Sequence, residues 1–333
     1  MPCRVYNINR WVDQIIDFIE NVILPEQQDE GTSTRSTKVH LVGNSVGGHI
    51  AAHIAMRRPD LISSICLLNP TPVWGSKLPG WNGHLPAPAI PKAVGRYLFD
   101  RIRDLKTIEQ FLEATYSRKE ALTQELMHQI RGATLGNGGH AAFASIMWSP
   151  PLNALEHDNK NNGKKGDFQD CLVRVPCDVL LVFGKDDPWC KPAFAKNMLK
   201  ALEERQQDNN SATSTTSDAN DVPVPIPPVH RYVEITNAGH CPNHEAPKAV
   251  GHLVKAWVDA KHGNRSKQQL ALINNIIEQQ EHETTGTTTS MRHQRQRQHK
   301  FFTEEWGENA VVELDRENIE LGFIDRFVTS FMS

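Results

Sequence analysis

The feature that most constrains this chain is a serine flanked by glycines at a predicted strand-to-helix junction. The pentapeptide Gly43-Asn-Ser-Val-Gly47 follows a short β-branched run at 38–42 and precedes a small-residue stretch of helical period at 48–56. In so sharp a turn the serine takes a strained backbone conformation, and the residues two before and two after it must be small. The pentapeptide alone is weak evidence, but its setting predicts a nucleophile elbow with Ser45 at its tip.

Composition excludes several classes of protein. The 333 residues carry a formal net charge of −3 and a hydrophobic content of 39%, which indicates neither a nucleic-acid-binding protein nor a strongly acidic one. Six cysteines are scattered without a Cys-x-x-Cys pair, so neither a zinc site nor a disulfide framework is indicated. No apolar run approaches the roughly 18 residues of a transmembrane helix, and the first residues show neither a signal peptide nor an obvious transit sequence.

Apolar periodicity and polar tracts divide the chain into segments. Continuous apolar runs predict buried strands at 62–68, 179–183 and 232–235. The predicted divisions are a core part with the elbow at 9–75, a helical segment at 76–150 and a second core part at 170–262. Polar composition predicts disordered loops at 157–166 and 205–228 and a weakly ordered tail at 263–333.

A serine nucleophile needs a base to take its proton and an acid to hold that base. In folds with a nucleophile elbow the chain order is serine, then acid, then histidine. Here Asp187 lies on the turn after the strand at 179–183, and His240 lies in a loop after the strand at 232–235. Since these turns follow buried strands, the three residues are predicted to converge on one edge of a sheet.

Each of these assignments has a competitor. Asp186 is the other candidate acid, but a residue before proline is biased to an extended conformation that suits a projecting carboxylate, which favours Asp187. Some serine hydrolases carry the acid after the strand that follows the elbow, where this chain has Asn69, which cannot hold an imidazolium. His244 is the other candidate base, and a polar contact at a helix start explains it better.

Two further groups of residues have both a functional and a structural explanation. His49 and His53 have the i, i+4 spacing that could clasp a metal, but no third ligand is apparent and two residues on one helix face explain them better. The tryptophans could line an apolar substrate pocket, although packing alone explains aromatic residues as well; they are Trp74, Trp81, Trp148 and Trp189.

Longer motifs extend the pattern over about residues 10 to 260. They are GNSVGGHIAAHIA at the elbow, LLNPTPVWG (67–75), FASIMWSP (143–150), GKDDPW (184–189) and AGHCPNHEAP (238–247). With these motifs the chain resembles the α/β-hydrolases, and among them the pheophytinase group of plastid esterases, which remove phytol from pheophytin. The resemblance implies an α/β fold with a mostly parallel sheet and a helical cap at about 76–150.

The resemblance also implies roles for particular residues. Ser45 is expected to be the nucleophile, Asp187 the acid and His240 the base, and the Val46 amide is expected to contribute to the oxyanion hole. The expected apolar pocket residues are Trp74, Phe143, Met147 and Trp148. No metal and no organic cofactor is expected.

The implied reaction is hydrolysis of a phytylated tetrapyrrole in the plastid, with peripheral contact to the thylakoid membrane and no nucleic-acid partner. Chlorophyll or another lipid ester remains an alternative substrate, and an inactive fragment or a binding protein remains an alternative function.

The chain departs from the resembled family at its start. Family members carry four strands upstream of the elbow, and a loop there donates the second oxyanion-hole amide, whereas this chain begins one helix before the elbow. The expectation is therefore a hydrolase domain without its N-terminal strands, explained by an incomplete gene model. Without a neighbour, the strand at 38–42 is expected to form an exposed apolar edge.

Overall fold

The structure is a computed structural model that describes residues 7–24, 38–72, 88–136, 138–140, 143, 168–213, 228–262, 297–303 and 307–313. The loop predicted at 157–166 lies outside the described residues, and so do three of the four predicted pocket residues, Trp74, Met147 and Trp148.

Helices and strands alternate through the two core parts. The helices are α1 (Ile8–Phe18), α2 (Val46–Arg57), α3 (Ala89–Ile102), α4 (Leu105–Thr115), α5 (Gln124–Ala133), α6 (Phe168–Leu172), α7 (Pro192–Thr213), α8 (Pro242–Glu245) and α9 (Pro247–His262). The strands are β1 (Val39–Asn44), β2 (Ile62–Leu68), β3 (Asp178–Gly184), β4 (His230–Ile235), β5 (Arg297–Thr303) and β6 (Gly307–Glu313). Among the described residues, no helix is both long and apolar enough to cross a lipid bilayer.

The described strands form a single six-stranded sheet in the order β1-β2-β3-β4-β6-β5. Strands β1 to β4 run parallel to one another, whereas β6 is antiparallel to β4 and β5 is antiparallel to β6. The carboxyl ends of the parallel strands meet at one edge, which is where open α/β sheets bind their ligands. The prediction of an α/β fold with a mostly parallel sheet is confirmed.

The central strands are buried on both faces, which is why they appear in the sequence as continuous apolar runs. Along β3, Val179, Leu181 and Phe183 join a core cluster with α1, α2, α6 and α7. Leu180 and Val182 point to the opposite face and join a second cluster with α9. The alternation of side chains along the strand therefore builds one core layer on each face of the sheet.

Strand β1 lies at one end of the described sheet. It is less buried than β2 and β3, and its Val42 side chain is 48% exposed. The elbow serine thus follows an end strand of the sheet that the structure describes.

The described part of the segment predicted to be helical includes the α-helices α3, α4 and α5. It contacts the core through the end of α4 and the chain that follows it: the Thr115 carbonyl accepts a hydrogen bond from the His240 amide at 3.2 Å, and the Ser117 amide donates one to Glu245 at 2.7 Å. This helical segment is therefore hydrogen-bonded to the loop that carries His240.

Two predictions from polar composition differ from the structure. Helix α7 continues to Thr213, so residues 205–213 are helical rather than loop; its first half is anchored in the core by Met198 and Leu202, and a helix propagates from an anchored turn at little cost. Within the predicted weak tail, β5 and β6 extend the sheet from β4. Strand pairing satisfies main-chain groups whatever the side chains are, and Val311 adds a fully buried contact.

Candidate active site

The elbow has the strained backbone that its sequence predicts. Ser45 has φ 51° and ψ −115°, an uncommon conformation for a residue with a side chain. Its amide donates a hydrogen bond to the Leu68 carbonyl at 2.9 Å, and its own carbonyl accepts from Gly48, His49 and Thr71. The main chain therefore fixes the serine at the point where β1 turns into α2.

Close packing, rather than side-chain hydrogen bonds, enforces this turn. A Cβ atom on Gly43 would lie 2.3 Å from the Gly47 carbonyl carbon, and one on Gly48 would lie 2.9 Å from the Pro70 Cβ. A Cβ on Gly47 would meet no atom within 4 Å. The expectation that the residue two after the serine must be small is therefore wrong, because the steric demand falls on Gly43 and Gly48.

The acid and the histidine are in direct contact. His240 Nδ1 lies 2.8 Å from Asp187 Oδ2, and both side chains are buried. The other carboxylate oxygen, Asp187 Oδ1, accepts a hydrogen bond from the Trp189 amide at 2.7 Å. Asp186 is exposed and accepts instead from the Ser117 hydroxyl at 3.3 Å. Of the two candidate acids, Asp187 is thus the one that contacts the histidine.

A third polar residue in this contact, Asn69, was missed as a functional residue at the sequence level. It is fully buried with φ 39°, donates from Nδ2 to Asp187 Oδ2 at 2.6 Å, and accepts from the Gly184 amide at 2.8 Å. The sequence feature that could have indicated this role is the position of Asn69 directly after β2, at the same sheet edge as the turns after β3 and β4. An amide there cannot replace the acid, but it can hold the acid in place.

Glu245 was also missed, although it lies within the AGHCPNHEAP motif. Its fully buried carboxylate accepts hydrogen bonds from four main-chain amides: those of Ser117 and Arg118 at 2.7 and 3.0 Å, and those of Gly239 and Cys241 at 3.0 and 3.3 Å. The latter two flank His240. A single carboxylate thus ties the histidine loop to the chain after α4.

The other candidate base, His244, packs edge-on against the Tyr116 ring at 5.6 Å.

The elbow and the histidine loop are joined through the residue before the serine. Asn44 Nδ2 donates to the His240 carbonyl at 2.8 Å and to the Leu68 carbonyl at 3.1 Å. Among the described residues, no hydrogen bond links the Ser45 hydroxyl to His240. Catalytic hydrogen bonds of this kind are often long without substrate and tighten on binding.

The remaining predicted site residues fall in different places. Val46 is the first residue of α2, where helix amides have no partner within the helix, and its side chain is 40% exposed. Phe143 packs against Phe99 of α3 with ring centroids 5.6 Å apart. Trp189 is 51% exposed, and its ring meets the His240 ring edge-on at 5.0 Å. The Trp189 ring therefore packs against one side of the His240 ring.

His49 and His53 lie on α2. Their rings stack at 5.2 Å, and His49 Nδ1 lies 2.8 Å from the Thr71 carbonyl oxygen. Burial lowers the pKa of His49 from 6.5 to about 4, although the Thr71 contact opposes the shift. Burial, with the nearby His49 and Arg57, lowers the pKa of His53 to about 3. At neutral pH both rings are therefore uncharged groups packed on α2.

The ligand atoms of Asp187, Cys190 and His240 lie within 4.8 Å of one another, the one such group found among the described residues. A carboxylate oxygen, a thiolate sulfur and an imidazole nitrogen together would suit a soft divalent cation. Burial raises the pKa of the Cys190 thiol to about 12, which disfavours the thiolate that a metal needs. The direct hydrogen bond between the acid and the histidine accounts for this cluster without an ion.

A serine elbow after one parallel strand, with an acid and a histidine on the loops after later strands, is the architecture of the α/β-hydrolases. The profile of the alpha/beta hydrolase family matches residues 4–252, and the chain belongs to this family.

Among curated proteins, the chain is similar to the chloroplastic pheophytinase of Arabidopsis thaliana, with 26% identity over 273 residues. The alignment covers 76% of this chain and 45% of that protein, so the chain spans less than half the length of this relative. Solved structures that align with it include a thermophilic esterase from Thermogutta terrifontis (TM-score 0.48, 17% identity, 78% of this chain and 75% of the esterase). A bacterial membrane phospholipase A aligns with TM-score 0.48 and 16% identity, over 78% of this chain and 66% of that one.

Proposed function

We propose that this chain is a serine esterase in which Ser45, Asp187 and His240 act as a catalytic triad. The observation that carries the proposal is the buried 2.8 Å contact between His240 Nδ1 and Asp187 Oδ2, at the sheet edge where the elbow presents Ser45. With the proton on Nδ1 held by the carboxylate, Nε2 is the nitrogen free to act as a base.

In the proposed reaction the Ser45 hydroxyl attacks the ester carbonyl while His240 takes its proton. His240 then gives that proton to the departing alcohol, which leaves an acyl-enzyme. Water attacks the acyl-enzyme by the same route and releases the acid, and Asp187 stabilises the imidazolium in both steps. The Val46 amide, at the start of α2, donates to the developing oxyanion. These steps use no metal and no organic cofactor.

For the substrate, we propose the phytyl ester of pheophytin, which would give pheophorbide and phytol in a plastid. The support is the similarity to Arabidopsis pheophytinase, together with the resemblance of the motifs around the elbow, Asp187 and His240 to that group. The exposed Trp189 ring beside His240 supplies an apolar surface next to the reacting group. The predicted pocket residues Trp74, Phe143, Met147 and Trp148 would add to this apolar surface.

A fluorophosphonate probe tests the triad, because it labels only an activated serine. We expect labelling of the wild type and none of Ser45→Ala. Asp187→Asn should lower the labelling rate about 10³-fold or more, because the imidazole loses the partner that fixes its tautomer. Ser117→Ala is the control, since this serine is exposed and lies outside the proposed triad. A folded wild type that never labels would overturn the proposal and favour a binding protein.

Incubation with pigments tests the substrate separately. We expect chromatography to show pheophorbide and phytol released from pheophytin, with slower release from chlorophyll and none by Ser45→Ala. Hydrolysis of simple aryl esters with no release from either pigment would reject the phytyl-ester substrate while leaving the triad intact.

A further inference from the structure

Helix α3 has two faces of opposite accessibility, and both are apolar. Pro91, Gly95 and Phe99 lie on its buried face. On the opposite face, Ile90 is 77% exposed, Val94 is 42% exposed and Tyr97 is 59% exposed. These three residues are spaced by four and three positions, so they form one stripe along the helix. Exposed Ala89 and Ala93 lie beside it and complete what we call the α3 outer face.

Single exposed apolar residues are normal on a protein surface, but a continuous stripe of large ones indicates an interaction site. The α3 outer face is such a stripe, and a helix needs only its buried face to pack in a soluble domain. The apolar residues of the outer face therefore serve something other than the packing of α3.

The charges around this face have one predominant sign. Between residues 89 and 103 there are four basic residues and a single acidic one. The acidic residue, Asp100, is paired with Arg103 at 2.7 Å, so the positive excess lies on Lys92, Arg96 and Arg101. Lys92 and Arg96 lie one turn apart along one border of the outer face, and the Arg101 guanidinium lies 5.4 Å from the centre of the Tyr97 ring.

We propose that the α3 outer face docks on an anionic lipid surface. An apolar stripe bordered by lysine and arginine is the pattern of helices that lie in a membrane interface, where the apolar residues enter the acyl region and the cations meet acidic headgroups. Tyrosine is favoured at that depth because it has an apolar ring and a polar tip. The docking does not depend on the proposed reaction, so we expect Ser45→Ala to bind lipid as the wild type does.

Flotation of the full chain with vesicles tests this docking. We expect binding to vesicles of phosphatidylcholine with phosphatidylglycerol, weaker binding to phosphatidylcholine alone, and loss of binding at high salt. Ile90→Ser with Tyr97→Ser should lower the partition coefficient at least about tenfold, because two large side chains no longer enter the acyl region. Phe18→Ser is the matched control, since Phe18 is 53% exposed on α1.

Charge reversals give a second measurement that does not alter the apolar stripe. Lys92→Glu with Arg96→Glu should lower binding to the anionic vesicles about fivefold for each residue and leave binding to neutral vesicles almost unchanged. Lys248→Glu with Lys255→Glu is the matched control on α9, where both lysines are exposed. Circular dichroism checks that all variants are folded.

Three results would overturn the docking. The first is a wild type that stays unbound on anionic vesicles, and the second is equal loss of binding in the control variants. The third is lipid-free light scattering that shows a dimer which Ile90→Ser with Tyr97→Ser dissociates, because the occupant of the face would then be a second copy of the chain.

Discussion

The two halves of the candidate site are held in place by different physical means. The nucleophile half, around Ser45, depends on packing: Gly43 and Gly48 let main-chain segments approach closely, and two uncharged histidines stack on α2, the helix that follows the serine. The acid–histidine half depends on polar contacts: Asn69 and Glu245 are fully buried side chains that donate to or accept from the residues around Asp187 and His240.

This difference predicts how each half fails. A packed turn is sensitive to the addition of a single atom, because its main-chain segments already lie in contact. A buried polar network tolerates no lost acceptor, because each donor left without a partner costs its full desolvation. Substitutions that add side-chain volume without changing polarity should therefore damage the nucleophile half. Substitutions that change polarity without changing volume should damage the acid–histidine half.

The largest effect is expected from added volume at the elbow. Gly43→Ala places a Cβ 2.3 Å from main-chain atoms that cannot rotate away, so the turn must open. We expect the free energy of unfolding to fall by about 3 kcal/mol or more, measured by urea denaturation, and fluorophosphonate labelling to be lost.

Gly47→Ala is the matched control, because it adds the same atom four residues away where nothing lies within 4 Å. Since Gly47 lies in the first turn of α2, the added methyl group should leave stability unchanged or raise it by about 0.5 kcal/mol. Equal destabilisation by both variants would show that any added side chain disturbs the elbow, and that the close approach at Gly43 is not what fixes the turn.

Removing charge without changing volume should damage the other half. Glu245→Gln replaces one acceptor oxygen by an amide group that cannot accept from the main-chain N–H groups now bound there. We expect a loss of about 2–3 kcal/mol in the free energy of unfolding, because hydrogen bonds to a buried charged group are among the stronger ones. Labelling should slow as well, since the loop that carries His240 loses its anchor.

Glu109→Gln on α4 is the control, because this glutamate is exposed. A Glu245→Gln variant as stable as Glu109→Gln, with wild-type labelling, would mean that the hydrogen bonds to Glu245 do not position the histidine loop.

The same contrast explains what the sequence could reveal. The strands at 62–68, 179–183 and 232–235 were predicted because central strands buried on both faces read as continuous apolar runs, and the structure has β2, β3 and β4 there. The convergence of Asp187 and His240 followed from strand order, because parallel strands end at one edge. Local sequence patterns were therefore sufficient to predict the central strands, because successive residues of such a strand are all buried.

The polar supports could not be predicted in this way. Asn69 contacts a residue 118 positions away, and the Ser117 amide contacts Glu245 across 128 positions, so neither role leaves a local pattern. Strands β5 and β6 were also missed, because main-chain pairing with β4 compensates for their polar side chains. The steric demand was predicted for Gly47 and found at Gly48 because it depends on where Pro70 lies.

Acidification should weaken the nucleophile half through the two buried histidines of α2. Burial lowers the pKa of His49 to about 4 and of His53 to about 3, against 6.5 in the unfolded chain. The folded state therefore favours the neutral rings, and their contribution to stability is complete above about pH 6.5 and is lost as the pH falls toward 4. Between pH 7 and pH 5 we expect a loss of about 2 kcal/mol for each histidine, measured by urea denaturation at each pH.

A double substitution isolates this contribution from that of other groups. His49→Asn with His53→Gln should be less stable at pH 7, because the packing is poorer, but its stability should change less between pH 7 and pH 5. His128→Gln, at an exposed position on α5, should keep the pH dependence of the wild type. An unchanged slope in the double variant would assign the acid sensitivity to groups outside the elbow.

The smallest change in stability is expected where the two halves meet. Asn44→Ala removes one side chain that donates to the His240 carbonyl at 2.8 Å and to the Leu68 carbonyl at 3.1 Å. Since these are neutral hydrogen bonds near the surface of the site, the free energy of unfolding should fall by only about 1 kcal/mol. Labelling should nevertheless slow markedly more than this loss implies, because the Asn44 side chain joins the elbow directly to the main chain of His240. Asn44→Asp is the informative comparison: its carboxylate has the same size but cannot donate to either carbonyl, so it should slow labelling at least as much. If both variants label at the wild-type rate, each half is positioned independently. The packing around Ser45 and the polar network around His240 would then align the two residues without the Asn44 contact.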